Sequence, residues 1–165
     1  MGIIPRFLFV LALIVAPIVV WSTTSTLPVR VATHFGSGGM ANGWMSRDGY
    51  ALFMIVMITV LPLTIVSFTG FIPRFAVSQI ARRKRDFWLS PQLRDETLAW
   101  LASHACSMGV LIIAFLSGIH FLTIEANRRS PPRLDESSMF AVVIGFVVLL
   151  VIWIGALALR FLRTR

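Results

Sequence analysis

Ser137-Ser-Met-Phe-Ala-Val-Val-Ile-Gly-Phe-Val-Val-Leu-Leu-Val-Ile-Trp-Ile-Gly-Ala-Leu-Ala-Leu159 contains no charged side chain. A helix rises about 1.5 Å per residue, so about 20 apolar residues cross the hydrocarbon of a bilayer. A surface helix of that length in a water-soluble domain would carry a polar face, and this stretch has none. Working outward, Phe7 to Val29, Gly49 to Pro73 and Thr97 to Ile124 are also free of charge. The expected fold is therefore all-α: a single transmembrane domain over residues 1–165, built as an integral membrane four-helix bundle. Its spans are expected at about 7–27, 50–72, 98–123 and 138–159, with one structured outer loop between helices 1 and 2.

Composition points the same way. Hydrophobic residues make up 57% of the chain and charged residues 13%, more apolar surface than one core of 165 residues could hide from water. A formal charge of +8 would suggest nucleic acid if the basic residues formed a single stripe. They cluster instead beside the ends of the hydrophobic runs, which excludes a nucleic-acid partner and reads as topology. With both termini cytoplasmic, the inner face holds Arg6, Arg74, Arg82, Arg83, Lys84, Arg85, Arg94, Arg160, Arg163 and Arg165, and the outer face only Arg30, Arg47, Arg128, Arg129 and Arg133. Retention of Lys and Arg inside favours this orientation. Tryptophan prefers the wet edge of the bilayer: Trp21 and Trp44 fall near the outer edge, Trp88 and Trp100 near the inner, with Trp153 close to it.

A cleaved signal peptide is the competing account of the first span, since Arg6 precedes an apolar core and Ser22 to Thr26 are small. Only one basic residue precedes that core, however, and no A-x-A tripeptide follows it. Cys106 stands alone, so no intrachain disulfide staples the loops, and packing is its expected role.

Within the spans, Pro17 and Pro62 are expected to kink helices 1 and 2 by removing a backbone donor. Ala102, Cys106, Gly109, Ser117 and His120 form a stripe at helical spacing that lets backbones approach closely, and Ala141 with Gly145 offers the same on the fourth span. His104 and His120, 16 residues apart, are separated by about 24 Å along one helix and roughly 160° around it, so they cannot share a metal. Each is expected near a membrane boundary in an interfacial or packing role, with a proton or ligand contact as the alternative. No Asp, Glu, Lys or Arg falls inside the hydrocarbon, which argues against a proton-coupled pump.

The inner loop from Arg74 to Glu96 carries Arg82-Arg83-Lys84-Arg85, suited to anionic headgroups. Ser90-Pro91 reads as the N-cap and first turn of the third helix, with Asp95 and Glu96 near its positive end. The segment 125–137, with Pro131 and Pro132, reads as a solvated connector.

The most informative polar stretch is Leu27 to Gly49. Val29 to Phe35 alternates as an extended segment, with Val29, Val31, Thr33 and Phe35 on one side and Arg30, Ala32 and His34 on the other. Gly36, Gly38 and Gly39 permit positive φ, Asn42-Gly43 signals a tight turn, and Ser46 is placed to cap helix 2.

Pro28-x-x-Val31-x-Thr33-His34-Phe35, followed by Gly39, Asn42-Gly43-Trp44 and Ser46-Arg47, resembles the signature of a bacterial membrane family of uncharacterised function. That family's domain also forms the N-terminal part of immunity proteins against the sporulation-delaying toxin. Phe87-Trp88-Leu89-Ser90-Pro91 with Arg94-Asp95-Glu96-Thr97-Leu98 is similar to a cytoplasmic motif of its stand-alone members, and together the two cover residues 15 to 100. The immunity proteins continue with a longer multi-span half, whereas two spans follow here. The resemblance implies binding or sensing at the outer face, with toxin immunity as one form of it.

Physically, His34 can accept or donate a proton near neutral pH, Arg30 and Arg47 can meet a phosphate or carboxylate, and glycine amides can cradle an anion. Arg30, Thr33, His34, Asn42, Trp44 and Arg47 are the candidate ligand-binding residues, toward membrane lipids or a peptide or protein partner. The competing reading makes His34 and Asn42 turn caps and buries Phe35 and Trp44 against span ends. His34, His120 and Asp48 are too sparse for a metal hydrolase, and Ser37 or Ser46 with His34 lacks a nucleophile elbow. No catalytic residue, metal or cofactor is expected. An accessory subunit of a larger membrane complex is the other class considered.

Overall fold

The computed structural model describes residues 2–162, the side chain of Arg83 excepted; Arg163 and Arg165, counted in the charge argument, lie outside the described residues. The chain runs α1 (Ile3–Thr24), β1 (Arg30–Phe35), β2 (Ala41–Ser46), α2 (Arg47–Val66), α3 (Pro73–Ser78), α4 (Arg85–Trp88), α5 (Arg94–Asn127) and α6 (Glu136–Leu162). A π-helical turn, Ser67–Phe71, extends α2. Four helices, Ile3–Thr24, Arg47–Phe71, Arg94–Asn127 and Glu136–Leu162, are long and apolar enough to cross a membrane. Pro17 and Pro62 both lie inside continuous helices, and the irregular turn of the second span comes only at Ser67–Phe71.

Helix α5 is the hub. One core joins Phe9, Ala16 and Val20 of α1 to Tyr50, Met54 and Ile58 of α2 and to Ala105, Cys106 and Ile113 of α5. Small residues bring these helices close, as packing without a hydrophobic driving force requires. A Cβ on Gly109 would lie 2.4 Å from Phe9 Cε2 and 2.7 Å from Val66 Cγ2, and one on Gly70 2.5 Å from Ala105 Cβ. The expected stripe on α5 accordingly faces inward, although Ser117 is only half-buried.

The fourth span departs from a symmetric bundle. Helix α6 packs on α5 through Phe146 against Phe115, Val142 beside Gly118 and Trp153 against His104. No residue of its apolar window is buried. The expected small-residue contact at Ala141 and Gly145 is corrected: Ala141 is exposed, and a Cβ on Gly145 would meet open space. Larger side chains one position on, Val142 and Phe146, make the seam instead.

Between α1 and α2 the chain forms an antiparallel hairpin, β1 paired with β2. Its turn is Ser37–Gly39, where Gly38 and Gly39 adopt φ of 71° and 72°. Asn42-Gly43, expected as a turn, lies inside β2, with Gly43 opposite His34. The expected alternation is also corrected. The register slips on either side of His34, Val31 and Ala32 are both fully buried, and Val29 is 78% exposed. A bulge places successive residues on one side, which period-two reading does not anticipate. Ser46 does cap α2, its hydroxyl accepting from the Gly49 amide at 3.1 Å.

The segment after α5 is not a solvated connector. Leu134 donates its amide to the Gly39 carbonyl at 2.8 Å, Arg133 Nε donates to the Gly38 carbonyl at 3.0 Å, and Met40 pairs with Arg133. Asn127, the last residue of α5, acts as a one-residue strand: its Oδ1 accepts from the Ala32 amide at 2.8 Å and its Nδ2 donates to the Ala32 carbonyl at 2.9 Å. Asn127→Ala leaves both backbone groups of a buried residue without partners, at about 1–3 kcal/mol each. Loss of hydrogen-exchange protection at the Ala32 amide, with α5 amides unchanged, is the expected result. Protection equal to wild type would show that the amide does not hold the strand.

At the termini end, α5 begins at Arg94, one turn later than Ser90-Pro91 suggested. The Ser90 carbonyl accepts from the amides of Leu93 and Arg94, so Ser90-Pro91 forms the preceding turn, while Asp95 and Glu96 do occupy the first helical turn. Ala76, Ile80, Leu101 and Phe161 form a second, smaller core there. Asp135 heads α6 by accepting from the Ser138 amide at 3.1 Å, and bonds from Ser138 hold its carboxyl below the usual range.

Candidate functional site

The hairpin divides the six candidate residues into two groups. Arg30, His34, Asn42 and Trp44 are exposed on it, Thr33 is half-buried in the bulge, and Arg47 is half-buried below, at the start of α2. The Arg30 guanidinium lies over the Trp44 ring, 5.6 Å from its centre. Asn42 Oδ1 pairs with His34 Nδ1. An amide oxygen can only accept, so His34 carries its proton on Nδ1 when neutral and offers Nε2 as a bare acceptor. A Cβ on Gly43 would sit 2.7 Å from the His34 Cβ, so glycine there is what admits the histidine across the strands. Trp44 is 40% exposed, so the burial expected for it against a span end is not found.

Arg47 faces a separate hollow. Its Nη1 donates to the Leu27 carbonyl at 3.4 Å, and its Nε lies 3.8 Å from the exposed Asp48 carboxylate. Trp21, Thr24 and Ser25 line a cavity of about 190 Å³ with it, and the Thr24 hydroxyl is buried without a partner. A cation, a carboxylate and an interfacial indole at the junction of α1 and α2 could meet a zwitterionic head.

Beneath the hairpin lies a polar cluster that sequence reading did not assemble. His120 is fully buried, with Nε2 2.7 Å from Thr23 Oγ1 and Nδ1 2.9 Å from the Tyr50 hydroxyl. Thr23 already donates to the Val19 carbonyl at 2.6 Å, so its oxygen must accept from Nε2–H. Nδ1 then accepts from the Tyr50 O–H, and one neutral tautomer satisfies all three groups. His120 thus joins α1, α2 and α5, which is the packing role expected for it.

At the opposite end, His104 lies between the rings of Trp100 and Trp153, at 4.5 and 4.2 Å. Trp153 Nε1 donates to the His104 carbonyl at 3.0 Å. Arg160 sits over Trp88 and Trp100, and its Nη2 donates to Glu96 at 2.9 Å. The sequence signalled these residues singly, as belt tryptophans, a helix-end arginine, His104 and the motif holding Trp88 and Glu96; their convergence depends on α6 lying along α5.

Residues 8–60 match a family model described as a domain of unknown function (DUF1648), which takes in most of α1, the hairpin and most of α2. No curated protein and no solved structure matches the chain. The matched residues include all six candidates at the hairpin end, whereas the cluster at the termini end lies wholly outside them.

Proposed function

We propose that the chain is a non-catalytic multi-pass protein of the bacterial cytoplasmic membrane, with both termini cytoplasmic, whose hairpin is a fixed recognition surface at the outer face. The observation that carries this reading is the fastening of the hairpin. Asn127, Arg133 and Leu134 bind it from one side and Ser46 continues it into α2, yet Arg30, His34, Asn42 and Trp44 remain exposed. A strand pair held this firmly loses little freedom on binding, which favours affinity. A guanidinium beside an indole and an imidazole suits a peptide carboxylate or a lipid headgroup. Protection against a membrane-active peptide is one use of such a surface.

Two measurements test it. A cysteine replacing Ser37 in a Cys106→Ala background should react with a membrane-impermeant maleimide in intact cells. Labelling only after lysis would reverse the orientation and remove the proposal. A photo-crosslinking residue at Met40, exposed on the same hairpin, should give a discrete adduct in cells, at least tenfold weaker when Arg30 and His34 are both alanine. No adduct, or one indifferent to those changes, rejects recognition at this surface.

An accessory-subunit role is the second reading, favoured by α6, whose apolar window has no buried residue. It requires a partner that co-purifies in mild detergent.

A further inference from the structure

We infer a binding site for a phosphate-type anion in the cleft between α1 and α6, at the end that carries both chain termini. The site is independent of the hairpin surface and lies at the opposite end of the helices.

The cleft is a cavity of about 520 Å³, a size that holds a lipid headgroup or small phosphate ester. Gly2 and Pro5 border it on the α1 side, Arg160 on the α6 side, and α5 supplies the floor. Two hydroxyls on the floor are already committed: Ser103 donates to the Gly2 carbonyl at 3.1 Å and Ser107 to the His104 carbonyl at 2.6 Å. Among the described residues, Arg160 Nε and His104 Nε2, both on residues that line the cleft, are buried with no partner, and Arg160 Nε is a donor in every state. Such a donor is costly until an acceptor reaches it.

Local charge favours an anion. Arg6 donates to the carbonyl of Ala99, a lining residue, at 3.0 Å, and Arg160 lines the cleft itself, whereas Glu96 is the one carboxylate among the lining residues. Glu96 is a weak occupant: its side chain is 68% exposed, and ion pairs in contact with water contribute little. An incoming phosphate can replace it on Arg160 with bidentate geometry that a single contact lacks. Trp88 and Trp100 hold the guanidinium plane in place, so little ordering is required on binding. The flanking helices present apolar surface beside the cleft, with Ile4 71% and Leu159 62% exposed. That surface suits a phosphate whose tail lies along the protein in lipid.

The full chain in detergent should be titrated with phosphatidylglycerol and phosphatidylcholine and read by native mass spectrometry, with inorganic phosphate as competitor. Phosphatidylglycerol should bind at least tenfold tighter. Arg160→Gln should remove that preference, whereas Arg74→Gln, on α3 outside the cleft, should leave it. Glu96→Gln should tighten binding severalfold, because it removes the competing carboxylate; a merely damaged fold would not bind better. Displacement by millimolar phosphate would support the site and assign it to a soluble phosphate. Retention of lipid against phosphate would support it and assign it to the headgroup. Equal binding of the two lipids, a preference that survives Arg160→Gln, or weaker binding by Glu96→Gln would each overturn the inference.

Discussion

His120→Ala is expected to lower the stability of the helix assembly by about 3 kcal/mol, the scale seen when a large buried ring is cut back to alanine. The ring is fully buried where α1, α2 and α5 meet, so the change opens a cavity and removes two interhelical hydrogen bonds together. Such bonds between membrane helices average only about 0.6 kcal/mol each, so the cavity dominates. Tyr50→Phe and Thr23→Val, which remove one bond and little volume, should therefore cost about 1 kcal/mol or less. The mole fraction of SDS needed for half-unfolding in mixed micelles orders the three variants. If His120→Ala proved no worse than Tyr50→Phe, His120 would not be the pin that joins the helices.

What the sequence makes legible follows from the solvent. Hydrocarbon demands length and the absence of charge, and Ser137 to Leu159 meets that demand whatever its neighbours do, so the four long helices can be read directly. Their arrangement cannot, because lipid and protein reward the same side chains. Ala141 and Gly145 look like a packing stripe, yet Val142 and Phe146 make the seam with α5. Asn127 at a helix end looks like a solvent residue, and only the fold brings it to Ala32, 95 positions away.

The candidate site was legible as a segment and not as a constellation. Leu27 to Gly49 stands out through its polarity and glycines, and it does fold into an ordered hairpin. A bulge then shifts parity by one residue, which moves Ala32 into the core and leaves His34 outside. Arg47 is separated from the rest because Ser46 starts a helix, which carries the next side chain down toward Leu27. Asn42-Gly43 has the composition of a turn but serves to seat His34.

Gly39→Ala is expected to release the hairpin from the second loop, whereas Gly38→Ala leaves it docked. Both glycines adopt positive φ, so each substitution carries the strain of about 1–2 kcal/mol that an L-residue meets there. Their surroundings differ. A Cβ on Gly38 meets nothing within 4 Å, but one on Gly39 would lie 2.1 Å from the Leu134 carbonyl oxygen. That neighbour is backbone and has no flexible end to turn aside, so the loop itself must move. Its movement breaks the 2.8 Å bond from the Leu134 amide to the Gly39 carbonyl, adding about 1 kcal/mol to the loss. Hydrogen exchange at the Leu134 amide separates the two cases: protection should fall at least tenfold in Gly39→Ala and stay near wild type in Gly38→Ala. Equal losses would assign the effect to φ alone and show that close approach of the two loops contributes nothing to holding the hairpin in place.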